Sequence, residues 1–189
     1  MTAEAPLPDS DPREVDLRAV RRAFGRAAPT YDAAAILQQE VGKRMGARLD
    51  VVKLDPAMVL DAGCGTGDAI GPLGLRYPGA RVVALDLAQP MVAAARERVR
   101  GSRTLLQRLL PVRRSERSSS PGYVCGDINA LPFGAAAFDL VWSNLALLWV
   151  NDLPPAVVEL RRLPLAVGLP LSTTLRAVTL RAVRAAFAA

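Results

Sequence analysis

The sequence contains no histidine and only two cysteines, Cys64 and Cys125, in 189 residues. Without imidazoles, and without thiols at ligand spacing, neither a structural nor a catalytic zinc site is expected, and no metal is assigned. Two isolated thiols suit a reducing compartment, and both read as small residues buried at strand ends. Long apolar runs are also missing. The most apolar stretches, residues 140–150 and 163–171, are too short to cross a bilayer. Residues 1–16 are acidic and contain proline, and they lack the basic start and apolar run of a secretory leader. These absences lead to the expectation of a cytoplasmic chain with no membrane span. What remains is a chain the length of one domain, 51% apolar, which is enough to build an ordinary core.

Acidic residues are in the minority, and the formal net charge is +6. Much of the excess sits in one segment, where Arg100, Arg103, Arg108, Arg113, Arg114 and Arg117 meet a single local acid, Glu116. Such a patch is a solvated loop, or a surface that steers an acidic partner. No nucleic-acid-binding motif accompanies it, so nucleic acid is not expected.

Along the chain, residues 1–16 read as a disordered tail. Residues 17–50 carry helical spacing at Val20, Phe24, Ile36, Leu37, Val41, Met45 and Leu49, interrupted at Ala28-Pro29-Thr30. This predicts two helices forming an N-terminal lid over a domain at 51–189. Strands are predicted at 58–62, 81–87, 123–126, 138–144 and 168–174. Helices are predicted after the glycines to Arg76, at 90–99, at 153–163 and at 175–189. Residues 101–121, ending in Ser118-Ser119-Ser120-Pro121, read as an Arg/Ser-rich insertion. Strands alternating with helices predict an α/β fold, a Rossmann-like doubly wound, mostly parallel sheet with helices on both faces. Pro170 suits a central strand badly.

The richest local signal is VLDAGCGTG at residues 59–67, at a strand-to-helix junction where open parallel sheets bind ligands. Gly63, Gly65 and Gly67 let the backbone approach a ligand with no Cβ in the way. The spacing is GxGxG, not the GxGxxG of dinucleotide folds, which argues against NAD. Asp61 beside this turn would repel a pyrophosphate but suits an amino-acid group carrying an ammonium. Asp86 ends the second strand, where a carboxylate accepts from both hydroxyls of a ribose. Asp127 ends the third, where it can accept from an adenine amino group with Ile128 against the ring. Each aspartate also has a bland reading as a helix cap.

These motifs, together with ALDLAQPM (84–91), GDINALPF (126–133) and FDLVWSNLALLWVNDL (138–153), resemble those of class I S-adenosylmethionine (SAM)-dependent methyltransferases. Two features bring the chain nearest to the malonyl-[acyl-carrier-protein] O-methyltransferases of biotin synthesis. They are Ala23–Asp32, and Trp142-Ser143-Asn144-Leu145-Ala146 with Trp149 following. The resemblance implies that Asp61, Gly63, Gly65 and Gly67 hold the methionine end of SAM and Asp86 the ribose. It implies that Leu87 and Met91 flank the nucleoside, and that Asp127 and Ile128 take adenine. Asn144 is placed near the methyl group and Tyr31 over the pocket as catalytic candidates, each with a purely structural role as the alternative. The implied partner is an acidic acyl carrier protein, for which Arg100–Arg117 is the candidate dock.

The lack of histidine bears on the chemistry. A hydroxyl or carbon nucleophile usually needs a general base, most often histidine. A free carboxylate is already ionised at neutral pH. Esterification of a malonyl carboxylate therefore suits this inventory, although Tyr, Asp or Glu can also serve as bases. Departures begin at residue 163. The family's proline-glycine-glycine turn is replaced by Leu163–Pro170, and its sixth and seventh strands are not found. That reading leaves a shortened sheet, an exposed fifth-strand edge open to dimerisation, and an activity in doubt. Two alternatives stay open: a SAM methyltransferase with another small acceptor, such as a quinone precursor, and a non-catalytic SAM-binding protein similar to assembly factors.

Overall fold

The structure, a computed structural model, describes residues 15–109 and 120–174. Five strands form one sheet: β1 (Met58–Ala62), β2 (Arg81–Asp86), β3 (Gly122–Cys125), β4 (Phe138–Asn144) and β5 (Pro164–Thr173). Their order is β3-β2-β1-β4-β5, and every pairing is parallel. The order reverses between β1 and β4, so the C-terminal ends of β1, β2 and β4 open onto a switch point.

Strands β1, β2 and β4 are buried on both faces, which is why they read as apolar runs without alternation. Along β1, Val59 packs on one face with Met45, Leu49, Ile70, Leu73 and Ala95. Leu60 and Ala62 pack on the other with Leu131, Leu147, Ala156 and Leu160. The first face is covered by α3 (Ile36–Arg48), α4 (Ile70–Arg76) and α5 (Gln89–Leu109), and the second by α6 (Leu153–Arg162). Each fully buried Leu or Val contributes about 1.5–3 kcal/mol through the apolar surface it removes from water. The Asp139 carboxylate ties β4 to the start of β1, accepting from the amides of Ala57 and Met58 at 2.9 Å each.

The lid consists of α1 (Leu17–Ala27), a single turn α2 (Tyr31–Ala34), and α3, so three helices stand where spacing suggested two. Pro29 and Thr30 divide them as expected. Ala35, between α2 and α3, is buried and adds a second break. Asp16 caps α1, its carboxylate accepting from the Arg18 amide at 2.8 Å.

Two boundaries differ from the sequence reading. Helix α5 runs to Leu109 instead of ending near Val99, so 101–109 are helical and not part of a loop. Apart from Gly101 this stretch consists mostly of good helix formers, and the first proline comes at 111. Strand β5 begins at Pro164, not near Gly168. Its register jumps from Phe138↔Pro164 to Leu140↔Leu169, so the intervening residues form a bulge. Gly168 permits it, because a Cβ there would lie 2.8 Å from that of Pro164. Pro170 is accommodated because, among the described residues, β5 pairs only with β4.

Residues 1–14 of the tail expected at 1–16, the side chains of Arg103 through Arg117 and the expected helix at 175–189 lie outside the described residues. Val15 and Asp16 are held by Asn151 and by the start of α1. No helix among the described residues is long and apolar enough to cross a membrane.

Candidate functional site

A cavity of about 290 Å³ opens at the switch point, between the lid and the turn that follows β1. Its wall includes Asp61, Gly63, Cys64, Gly65 and Thr66 from β1 and the turn, Trp142 and Asn144 from β4, and Tyr31, Gln38, Gly42 and Lys43 from the lid. Five of the residues singled out from sequence therefore meet in one place: Tyr31, Asp61, Gly63, Gly65 and Asn144.

The glycine turn is shaped by backbone geometry. Gly63, Gly65 and Gly67 have φ values of +79°, +53° and +83°, a region that side chains disfavour. Each also meets a close neighbour. A Cβ on Gly63 would lie 2.2 Å from that of Ala146, and one on Gly67 would lie 2.8 Å from that of Ala95. At Gly65 it would stand 3.7 Å from the Tyr31 ring. Gly67 thus lies behind the cavity wall as a packing position, while Gly63 and Gly65 face the cavity.

Asp61 is buried at 1% exposure, and its Oδ2 has no hydrogen-bond partner. Burial, with the Asp86 and Asp68 carboxylates nearby, raises its pKa to about 7. An unpartnered buried carboxylate is costly unless a cation or donor meets it. Trp142 presents a second unmet group, since its buried indole N–H also lacks a partner.

Asp86 faces the turn. Its Oδ2 accepts from the Gly65 amide and its Oδ1 from the Ala88 amide, each at 2.9 Å. Burial raises its pKa, opposed by the amides of Ala88, Gly65 and Leu87. Burial also raises the Tyr31 pKa, reinforced by the Asp86 and Asp32 charges, so its phenol keeps its proton at neutral pH. The Cys64 thiol is pushed well up by burial, which makes it a poor nucleophile.

Asn144 bridges two elements. Its Nδ2 donates to the Gln38 carbonyl, and its Oδ1 accepts from the Thr173 hydroxyl, both at 2.8 Å. The next residue, Leu145, is left-handed at φ 57°, which swings the chain so that Ala146 seats against Gly63.

Asp86 stands behind the turn and is not on the cavity wall, and the remaining sequence candidates also lie away from it. Met91 is fully buried with Ala28 and Ala88, against Phe24 and Tyr31, under the lid. Leu87 is half-buried, and its carbonyl accepts from the Cys125 thiol at 3.4 Å. Asp127 closes a local turn, its Oδ1 accepting from the Asn129 amide and side chain at 2.8 Å each. Ile128 packs on the second core face.

The sequence reading left six participants unassigned: Gln38, Lys43, Asp32, Thr66, Asp68 and Arg98. Gln38 and Lys43 reach the cavity from α3, and their positions on that helix were the signal available. Asp32 accepts from the Thr66 hydroxyl at 2.5 Å and pairs with Arg98, which also meets Asp68 at 3.1 Å.

Residues 60–166 match the family model described as a methyltransferase domain. The chain is 47% identical over 186 residues to a malonyl-[acyl-carrier protein] O-methyltransferase from a Methylovorus species, covering 98% of this chain and 57% of that protein. It is 46% identical over 173 residues to a protein of the same name from Nitrosospira multiformis, covering 92% and 56%. The chain thus spans little more than half the length of these relatives. Among solved structures, a geranyl diphosphate C-methyltransferase from Streptomyces coelicolor, in complex with S-adenosyl-L-homocysteine, aligns with a TM-score of 0.60 at 19% identity. That alignment covers 78% of this chain and 50% of that one. A putative S-adenosyl-L-methionine-dependent methyltransferase from Methanococcus maripaludis aligns at 0.59 and 16% identity, covering 97% and 74%. At these identities the two structures establish the shared fold.

Proposed function

The chain belongs to the methyltransferase-domain family, and from that premise we propose that its cavity binds SAM for transfer of a methyl group to the free carboxylate of a malonyl-[acyl-carrier protein]. The carrying observation is the buried, partnerless Asp61 oxygen beside a glycine turn. An ammonium is the group that such a carboxylate lacks, and the methionine end of SAM carries one. The backbone of Gly63 and Gly65 lines the same cavity. Asp86, already facing the turn, is the acceptor for the ribose hydroxyls. Leu87, Met91, Asp127 and Ile128 are assigned to the nucleoside by resemblance alone.

Bound in this cavity, the sulfonium supplies an electrophilic methyl group. The chain's own residues orient the reactants and exclude water. Tyr31 roofs the glycine turn, and Asn144, tied to Gln38 and Thr173, sets the wall opposite. There is no histidine, and the Tyr31 phenol is held protonated. Asp61, the carboxylate whose pKa lies near neutrality, is engaged by the ammonium in this reading and is not free to act as a base. An acceptor that is already an anion, such as the malonyl carboxylate, matches that inventory. The reading extends to a carrier-protein dock at Arg100–Arg117, supported by the lone Glu116 among six arginines. Reversing the charge of Arg108, Arg113 and Arg114 should raise KM for carrier-bound substrate, and an unchanged KM at low salt rejects the dock.

The test is incubation with SAM and malonyl-carrier protein, followed by mass analysis for an added methyl. Methylation of small-molecule acceptors instead replaces the substrate assignment. SAM binding without turnover on any acceptor favours the non-catalytic alternative.

A further inference from the structure

The lid is fastened unevenly. Its start is pinned to the loop after β4, where Asn151 accepts from the Val15 amide at 2.6 Å and donates to the Val15 carbonyl at 2.9 Å. Its far part is pinned by Asn144 to the Gln38 carbonyl. Between these anchors lies α2, one turn long, with no buried residue and no side-chain cap. A single turn has no intrinsic stability in water, and α2 nonetheless carries Tyr31 over Gly65.

Tyr31 packs against Phe24 and Met91, the Gln39 side chain donates to the Asp32 carbonyl at 3.0 Å, and further polar contacts tie α2 to the glycine turn. The Asp32 carboxylate accepts from the Thr66 hydroxyl and pairs with the Arg98 guanidinium. Arg98 also donates to Asp68 at 3.1 Å and reaches the Thr66 hydroxyl at 3.5 Å. Thr66 and Asp68 belong to the glycine turn, and Arg98 stands on α5. One guanidinium therefore joins the lid, the turn and a rigid helix, with charge-assisted bonds that are stronger than neutral ones.

We propose that Arg98 is a positioning residue: by holding Asp32 against Thr66 and Asp68 it latches α2 and Tyr31 over the glycine turn, and its release opens the path by which the cofactor enters and leaves. This rests on the reading of the cavity as the SAM site. Arg98 itself is not on the cavity wall, although Asp32, Thr66 and Asp68 are, so its effect falls on exchange of the cofactor through the residues it holds. Because the latch is ionic and only partly buried, added salt screens it and speeds that exchange.

The test uses the full chain with Arg98→Ala, Arg98→Lys, Asp32→Ala and the Arg98→Ala/Asp32→Ala double variant. SAM dissociation is followed by stopped flow on tryptophan emission, since Trp142 lines the cavity. Hydrogen exchange at residues 31–35 is measured without ligand. Arg98→Ala is expected to raise both the dissociation rate and the local exchange rate by about tenfold, with exchange in β1 and β4 unchanged. Asp32→Ala should do the same, and the double variant should be no worse than either single one, because both cut one contact network. Arg98→Lys should recover part of the effect. Wild-type rates in Arg98→Ala, or additive effects in the double variant, overturn the latch. If the wild-type chain binds no SAM, the cofactor reading fails on its own. The exchange data then decide the latch: acceleration supports it and unchanged rates reject it.

Discussion

The Asp86 carboxylate accepts from the Gly65 amide at 2.9 Å, so the end of β2 holds the turn that follows β1 in place. Its other oxygen accepts from Ala88 at the same distance, at the threshold of α5. One side chain thus organises the turn and the start of α5, and under the proposed function it is also the acceptor for the ribose. Asp86→Ala leaves two amides without their acceptor and should cost about 2–4 kcal/mol of stability. Denaturant unfolding checks the cost, and calorimetry should show SAM affinity falling by at least about a hundredfold, or 2.7 kcal/mol.

Gly63 is constrained twice, by its positive φ and by Ala146. Gly63→Ala should destabilise the chain by about 2–4 kcal/mol, combining backbone strain with overpacking. Adding Ala146→Gly removes the steric part only. Thermal melts of the single and double variants should therefore show partial recovery, with the strain of the left-handed backbone remaining.

Asp61 should make the ligand-free protein's stability depend on pH. Its pKa in the folded chain is raised to about 7, against about 4 for an unfolded aspartate. Across that window the folded state holds a proton that the unfolded state has released. Stability therefore falls as pH rises from about 4 to about 7 and levels off above. Asp61→Asn should flatten that slope, as followed by unfolding at a series of pH values. An ammonium ligand prefers the ionised form, so SAM affinity should weaken about tenfold or more between pH 7.5 and pH 5.5.

Asn144 uses both ends of its amide, to Gln38 and to Thr173. Asn144→Asp replaces the donor facing the Gln38 carbonyl with an acceptor, and should destabilise by about 1–3 kcal/mol. Its signature beyond stability should be a lower kcat with little change in the Kd for SAM, measured by single-turnover methylation and by calorimetry.

Much of this architecture was legible because it is local. Strands β1 and β4 are apolar runs bounded by turn residues, and their limits agree with the sequence reading. The glycine turn announces itself through residues that only a special backbone needs, with Asp61 two positions before Gly63. What escaped is long-range or irregular. The β5 bulge was hidden because Leu163–Pro170 has no turn signature of its own, and Gly168 is explained only by the return of the chain onto Pro164. The end of α5 was misplaced because 101–121 was read as one Arg/Ser-rich insertion, though helix formers continue from 102 to 109. The Asp32–Thr66–Arg98 network joins residues 34 and 66 positions apart. In the sequence, each of these looks like part of a solvated polar face.

The most direct measurement is calorimetric titration of the full chain and of Asp61→Asn with SAM at pH 7.5. The account predicts one site per chain for the wild type, with affinity at least about tenfold weaker in the variant, because the amide cannot neutralise an ammonium. Folded wild-type protein that takes up no SAM at millimolar ligand, or an Asp61→Asn variant that binds as tightly as the wild type, contradicts it.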